Sequence, residues 1–223
     1  MLSSFESGFA PILTDLTGCR FPIDDPTFLK VWDWPEHYLT LHYNSRTKAE
    51  EMVGKAWEIA KSDEKFWLTL KPYAHTRNAL ARLQWLVSDG HEVYFITSRP
   101  GVFAKRQTEM WLQLNGFRWE TPTVIVSWEK GLVAAGVNLD VFVDDKPDNL
   151  LKVRRQMGTR CSYYIVDYPY NRKPEDRQYC TPITHIGQML DVYETKPDAV
   201  KGIIPAPSDA LQGITEELEV VVV

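Results

Sequence analysis

The stretch that most constrains the fold is residues 141–150, VFVDDKPDNL. Val141, Phe142 and Val143 form an unbroken apolar run, the signature of a strand buried on both faces of a parallel sheet. Asp144 and Asp145 follow at once, then a Pro/Asn turn. In open α/β sheets the carboxyl ends of such strands face the ligand crevice. Two adjacent acids there repel each other unless a cation offsets them. Mg²⁺ is the expected ion, because it takes oxygen ligands and retains part of its water shell. Taken alone, Asp-Asp-Lys-Pro would serve equally well as an acidic turn. The remainder of the chain has to decide.

Strand and helix alternate from residue 72 to residue 170. An amphipathic helix carries Thr76, Leu80, Leu83 and Val87 and ends at Asp89-Gly90. A strand at 93–96 runs into Thr97, Ser98 and Arg99, and a helix over 102–114 turns Phe103, Met110, Trp111 and Leu114 inward. A strand at 123–127 precedes Lys130, and a helix over 149–157 leads to a strand at 163–166 and then to Asp167-Tyr-Pro-Tyr-Asn-Arg172. This order predicts an α/β fold, a three-layer, doubly wound parallel sheet.

The first third reads differently. Residues 2–17 predict a helix with Phe5, Phe9, Ile12, Leu13 and Leu16 on one face, Pro11 as a kink and Gly18 as the stop. Residues 19–44 are rich in Pro and aromatics, which favours short elements. Thr47 and Glu50 have the spacing of a capping box. The helix after them carries Ala49, Met52, Val53, Ala56, Trp57 and Ala60 as a stripe. We therefore expect residues 1–15 and 73–195 to form the core, 16–72 a small helical cap, and 196–223 a linker and tail.

The chain has 223 residues, 44% of them hydrophobic and 25% charged, enough for one large domain or a domain with an inserted cap. A net charge of −5 argues against a nucleic-acid backbone as partner. An anionic substrate then needs a metal or a local basic cluster. Cys19, Cys161 and Cys180 lack the spacing of a zinc site or disulfide framework, which fits a reducing, cytoplasmic setting. The N-terminal stretch has neither the basic flank nor the apolar run of a signal peptide, and no membrane partner is expected.

Three strand ends thus carry polar groups: Thr97 and Ser98, Lys130, and the Asp144/Asp145 pair. A hydroxyl can donate to a phosphoryl oxygen, an ammonium can offset negative charge, and the two acids can ligate a divalent ion. Arg99 is a further candidate for binding phosphate. In order and spacing, Phe95-Ile-Thr-Ser-Arg-Pro100, Lys130 and Val143-Asp-Asp-Lys-Pro147 resemble the second, third and fourth motifs of the haloacid dehalogenase-like phosphohydrolases. Within them the chain looks most like the 5′(3′)-deoxyribonucleotidase branch and its phage and bacterial relatives. The resemblance covers residues 2–190. It implies a Mg²⁺-dependent phosphatase of nucleoside monophosphates, with Thr97 and Lys130 at the reacting phosphate. It also implies Phe66 and Trp67 of the cap as base contacts; by packing alone these two read as core.

The family's first motif, Asp-x-Asp-Gly, supplies the nucleophile and the acid/base, and it does not occur in this sequence. The resemblance places that motif, and the central strand bearing it, ahead of Met1. We therefore expect little or no turnover from the chain as written. A non-catalytic protein that binds nucleotides or other proteins is the alternative. A phosphatase acting on sugar phosphates or nucleic-acid 3′ ends is a third reading, although no basic stripe supports a polynucleotide. Without its central strand the sheet needs a replacement. Leu218–Val223, rich in valine, is the candidate, pairing in its own chain or in a neighbour's to give a homo-oligomer.

Overall fold

Parallel strands need long crossovers, and the sequence supplies them as helices. The structure, a computed structural model, describes residues 2–23, 25, 31–195 and 219–222, with backbone alone at 193–195 and 219–222. Six strands form one parallel sheet: β3 (Glu92–Thr97), β4 (Thr123–Val126), β5 (Val141–Asp144), β6 (Ser162–Val166), β7 (Thr181–Ile183) and β8 (Glu219–Val222). Their order across the sheet is β4-β3-β8-β5-β6-β7. A separate antiparallel pair joins β1 (Ser3–Ser4) to β2 (Lys71–Pro72).

Strand side chains alternate between two apolar clusters, which makes the architecture three-layered. Val93 and Phe95 of β3, Val141 and Val143 of β5, and Tyr164 and Val166 of β6 pack on one face. Three helices cover that face: α4 (Thr76–Ser88), α5 (Ala104–Asn115) and α9 (Ile186–Thr195). Ile96, Phe142, Tyr163 and Ile165 point the other way, beneath α6 (Lys130–Gly136) and α7 (Pro147–Met157). The expected doubly wound α/β fold is the one observed.

The third cluster belongs to the helical layer. There, α1 (Glu6–Thr17), α2 (Trp34–Tyr43) and α3 (Arg46–Ser62) bring Phe9, Leu13, Leu39, Val53 and Ala56 together with Phe66 and Trp67. Of the α1 face expected to be apolar, Phe9 and Leu13 are buried in this helical cluster and Phe5 and Ile12 pack against it, whereas Leu16 is 36% exposed. Pro11 sits inside α1 without ending it, and Gly18 closes the helix at φ 71°, a conformation that side chains with a Cβ rarely adopt.

Two local expectations are corrected. The cap of α3 is Ser45, whose hydroxyl accepts from Lys48 N–H at 3.3 Å, so Thr47 and Glu50 form no capping box. Glu50 instead accepts from Arg46 one turn back. On α5, Leu112 and Gln107 are buried, whereas Leu114 is 64% exposed and Met110 also faces out. The predicted inward stripe on that helix was offset by part of a turn, because buried polar residues Gln107 and Thr108 stand where an apolar pattern would continue. Of the expected terminal strand, Glu219–Val222 forms β8; Leu218, Val223, the linker 196–218 and the Pro/Phe stretch at 26–30 lie outside the described residues.

Gln107 links the helical layer to the sheet layer. Its Oε1 accepts from the buried Trp67 N–H at 2.7 Å, and its Nε2 donates to Asp63 O at 2.9 Å. Trp111 Nε1 donates to Leu70 O in the same junction. Replacing Gln107 by Leu strands a buried N–H, and we expect a loss of about 1–3 kcal/mol in urea unfolding with the secondary structure retained.

Candidate functional site

A cavity of about 520 Å³ opens at the carboxyl ends of the central strands, where the helical layer meets the sheet. Strand ends and the turns after them supply Thr97, Ser98, Arg99, Lys130, Asp144, Asp145 and Asn149 to its lining, and the helical layer adds the carboxyls of Glu6, Asp33 and Glu36. Its apolar lining is aromatic, with Phe5, Trp57 and Trp67 from the helical layer and Tyr168 and Tyr170 from the loop after β6. The strand direction explains the first group. Three parallel strands end at one level, and the chain must leave each of them through a polar turn.

Asp144 is 1% exposed and is held from three sides. Lys130 Nζ lies 3.0 Å from Oδ2, Asn149 Nδ2 donates to the same oxygen at 2.9 Å, and Lys146 N–H donates to Oδ1 at 2.9 Å. Lys130 is itself 4% exposed, at the first residue of α6. Burial raises the Asp144 carboxyl above its ordinary value, against the Lys130 charge; the neighbouring Asp145 adds to the rise. For Asp145, burial acts in the same upward direction, but nearby positive charge and the Tyr170 hydroxyl, at 2.6 Å from Oδ2, outweigh it and the carboxyl is lowered.

That donor set suits Mg²⁺. Two carboxylates at a strand end, with water and a substrate oxygen filling the other positions, are how this ion is commonly held. Among the described residues no cluster of three or more His, Cys, Asp or Glu side chains forms a closed metal cage.

Thr97 and Ser98 line the cavity beside this pair, and the Ser98 hydroxyl donates to Ser127 O at 3.3 Å. Arg99 is fixed in place. Its guanidinium donates to Thr108 Oγ1 at 2.9 Å and to Ser3 Oγ at 3.1 Å, and it stacks 5.0 Å from the Trp67 ring. Burial draws its pKa down to about 10, so it remains a cation at neutral pH. Trp67 lines the cavity. Phe66 does not: it is 2% exposed, inside the aromatic core with Phe5 and Phe9, and the packing reading holds for it.

The loop Tyr168–Arg172, a further match to the family resemblance, brings Tyr168 and Tyr170 to the cavity, whereas Trp32 and Tyr73 escaped the sequence reading. Tyr170 bonds to Asp145, and Asn171 Nδ2 donates to both Asp145 O and Val166 O. Tyr168 stacks on Tyr170 at 5.3 Å, while Tyr73 donates to Glu6 at 3.2 Å. Trp32 meets Tyr170 edge-on at 5.2 Å, with Lys146 Nζ 4.8 Å from its own ring. The available signal was the Tyr-Pro-Tyr-Asn run directly after a buried strand that neighbours the Asp-Asp strand. A clamp shapes this loop: Arg172 and Arg177 both donate to Asp167, and Arg177 also donates to Asn171 O at 3.0 Å.

Two expectations follow. Lys130→Met leaves the buried Asp144 without its counter-charge and should cost about 3–5 kcal/mol in denaturant unfolding. Hydrogen bonds from Arg172, and then from Arg177, lower the Asp167 pKa from its ordinary 3.8. A depressed carboxyl contributes stability above its unfolded value and loses it as pH falls through the folded one. The loop clamp should therefore hold down to about pH 4 and release below it, read as a change in near-ultraviolet tyrosine and tryptophan circular dichroism.

Comparison with known proteins finds partial relatives. A protein of Oceanobacillus iheyensis named "Putative nucleotidase" is 35% identical over 97 residues, which are 42% of this chain and 50% of that protein. A Bacillus cereus protein of the same description is 33% identical over 113 residues, 49% of this chain and 56% of that protein. The chain spans about half the length of the curated relatives it matches. No family model and no solved structure matches it. Among the described residues no helix is long and apolar enough to cross a membrane.

Proposed function

We propose that this chain is a nucleotidase-like phosphohydrolase of the haloacid dehalogenase-like type, binding nucleoside monophosphates together with Mg²⁺. The observation that supports it best is the convergence of Thr97, Lys130 and the Asp144/Asp145 pair at one end of an aromatic-lined cavity of about 520 Å³. That volume lies within the range of small-molecule sites. The two partial relatives named as nucleotidases point to the same substrate class.

In this reading Asp144 and Asp145 hold the ion, which supplies charge neutralisation and polarisation of the phosphoryl oxygen. The Thr97 hydroxyl and the Ser98 side chain donate to phosphate oxygens. Lys130 offsets phosphate charge while pairing with Asp144 at 3.0 Å. Trp67, with Arg99 stacked on it, and the Tyr168/Tyr170 stack offer flat faces to a base. Positioning and electrostatics of this kind bind a phosphate ester, but hydrolysis needs an attacking group aligned with phosphorus. No Asp-x-Asp-Gly motif occurs in the sequence, so turnover by the chain as written is small. The non-catalytic alternative, a nucleotide-binding member of the same fold, shares this pocket and differs only in the chemistry that follows.

The test is calorimetric binding and phosphate release with a panel of nucleoside monophosphates, sugar phosphates and 3′-phosphorylated oligonucleotides, each with and without Mg²⁺. We expect binding of the nucleoside monophosphates that requires Mg²⁺ and weakens at least about tenfold in Asp145→Asn, equivalent to about 1.4 kcal/mol. Phosphate release should be weak or absent. Preference for another ester in the panel would replace the substrate class, and Mg²⁺-independent binding would overturn the role given to the carboxylates.

A further inference from the structure

A second cavity, of about 260 Å³, lies against α4 and shares no lining residue with the first. Arg77, Ala81 and Gln84 form one wall, spaced four and then three residues apart and so on one face of that helix. Gly116, Arg118 and Trp119, from the turn after α5, form the other. The turn is pressed close to the helix. Gly116 has φ 140°, and a Cβ there would stand 3.0 Å from Arg77 O, a combination that suits glycine alone.

Gln84 joins the two walls. It is 2% exposed, and its Oε1 accepts from the Arg118 N–H. Its Nε2, also buried, has no hydrogen-bond partner among the described residues. A buried amide whose oxygen is satisfied and whose nitrogen is not holds a donor in want of an acceptor. Arg77 and Arg118 add two guanidinium groups, neither of them in an ion pair among the described residues. No carboxylate lines this cavity, whereas Glu6, Asp33 and Glu36 line the first. Trp119 is 79% exposed and leaves most of its indole open at the same place.

Exposed arginines alone are ordinary hydrated surface. Here two of them meet a buried unsatisfied donor and a flat ring in one hollow without opposing charge. Guanidinium and amide N–H groups donate to oxyanions, and indole faces stack on flat rings. The volume falls just under the usual range of about 300–1,000 Å³ for ligand pockets, which limits an occupant to one ring and one anionic group.

We infer that this hollow is a binding site for a small oxyanion, phosphate or carboxylate, carried on a flat ring. Arg77, Arg118 and the Gln84 amide nitrogen hold the anionic group, and Trp119 stacks on the ring. The site stands whatever the first cavity binds.

The test is titration calorimetry of the full chain in EDTA, with phenyl phosphate and benzoate as probes and benzyl alcohol as the uncharged control. Phenyl phosphate, benzoate or both should bind one to one with a dissociation constant of about 1 mM or tighter, and benzyl alcohol should not bind. The two probes distinguish a phosphate from a carboxylate occupant. Arg118→Ala and Trp119→Ala should each weaken binding at least about tenfold. Gln84→Glu is the sharper variant, because it keeps an oxygen to accept from the Arg118 N–H and replaces the donor with negative charge. It should abolish binding while the near-ultraviolet circular dichroism stays that of the wild type. If it disturbs the fold, Arg77→Ala, at an exposed position, takes its place with a loss of at least about tenfold. Absence of saturable binding by either anion overturns the inference. So does equal binding of benzyl alcohol, or an affinity unchanged in Arg118→Ala or Trp119→Ala. None of these residues lines the first cavity, and EDTA removes Mg²⁺, so failure here and failure of the proposed function are separable.

Discussion

A charged lysine and a carboxylate, both all but removed from solvent, stand 3.0 Å apart where the central strands end. Their burial is costly, and the surrounding structure is what makes it tolerable. Asn149 and the Lys146 N–H complete the hydrogen bonds of Asp144, and Tyr170 and Asn171 secure Asp145 from the far side. Lys130 opens α6, Lys146 and Asn149 belong to the start of α7, and Tyr170 and Asn171 to the loop after β6, so these three places are locked to one another through two side chains. Replacing a buried ion pair by apolar residues often leaves stability unchanged or improved. Retaining it here makes sense if the site handles charge rather than merely filling space.

The sheet was legible in the sequence for a plain reason. Runs such as 93–96 and 141–143 are apolar on consecutive positions, and only a strand covered on both faces buries them. The polar groups at their ends were legible too, because chain direction fixes where a parallel strand delivers its next residue. The helical layer was harder. Leu112 rather than Leu114 faces inward on α5 because Gln107 and Thr108 occupy interior positions for the hydrogen bonds they make, and a hydrophobicity pattern does not register that. Ser45 displaced Thr47 as the cap of α3 for a similar reason: two candidate hydroxyls two residues apart differ only in backbone conformation, and Ser45 is the one in extended geometry.

Aromatic residues divided in a way composition could not anticipate. Phe66 and Trp67 are neighbours in sequence and stand edge to face at 4.7 Å, yet one ring is sealed in the core and the other borders the cavity. A short 3-10 turn at Phe66–Leu68 is what separates them, since adjacent side chains on so tight a helix diverge widely in direction. Tyr168 and Tyr170 came to the cavity through tertiary placement of their loop, which Asp167 and its two arginines hold at a distance from the residues it presents.

The order β4-β3-β8-β5 sets a strand from far along the sequence between two that precede it by many residues. The sheet is therefore two half-sheets, β4-β3 and β5-β6-β7, whose backbone ladders, among the described residues, meet only through the four residues of β8. Cooperativity across the sheet depends on that one short strand, and the two halves are the natural units into which the ladder would divide.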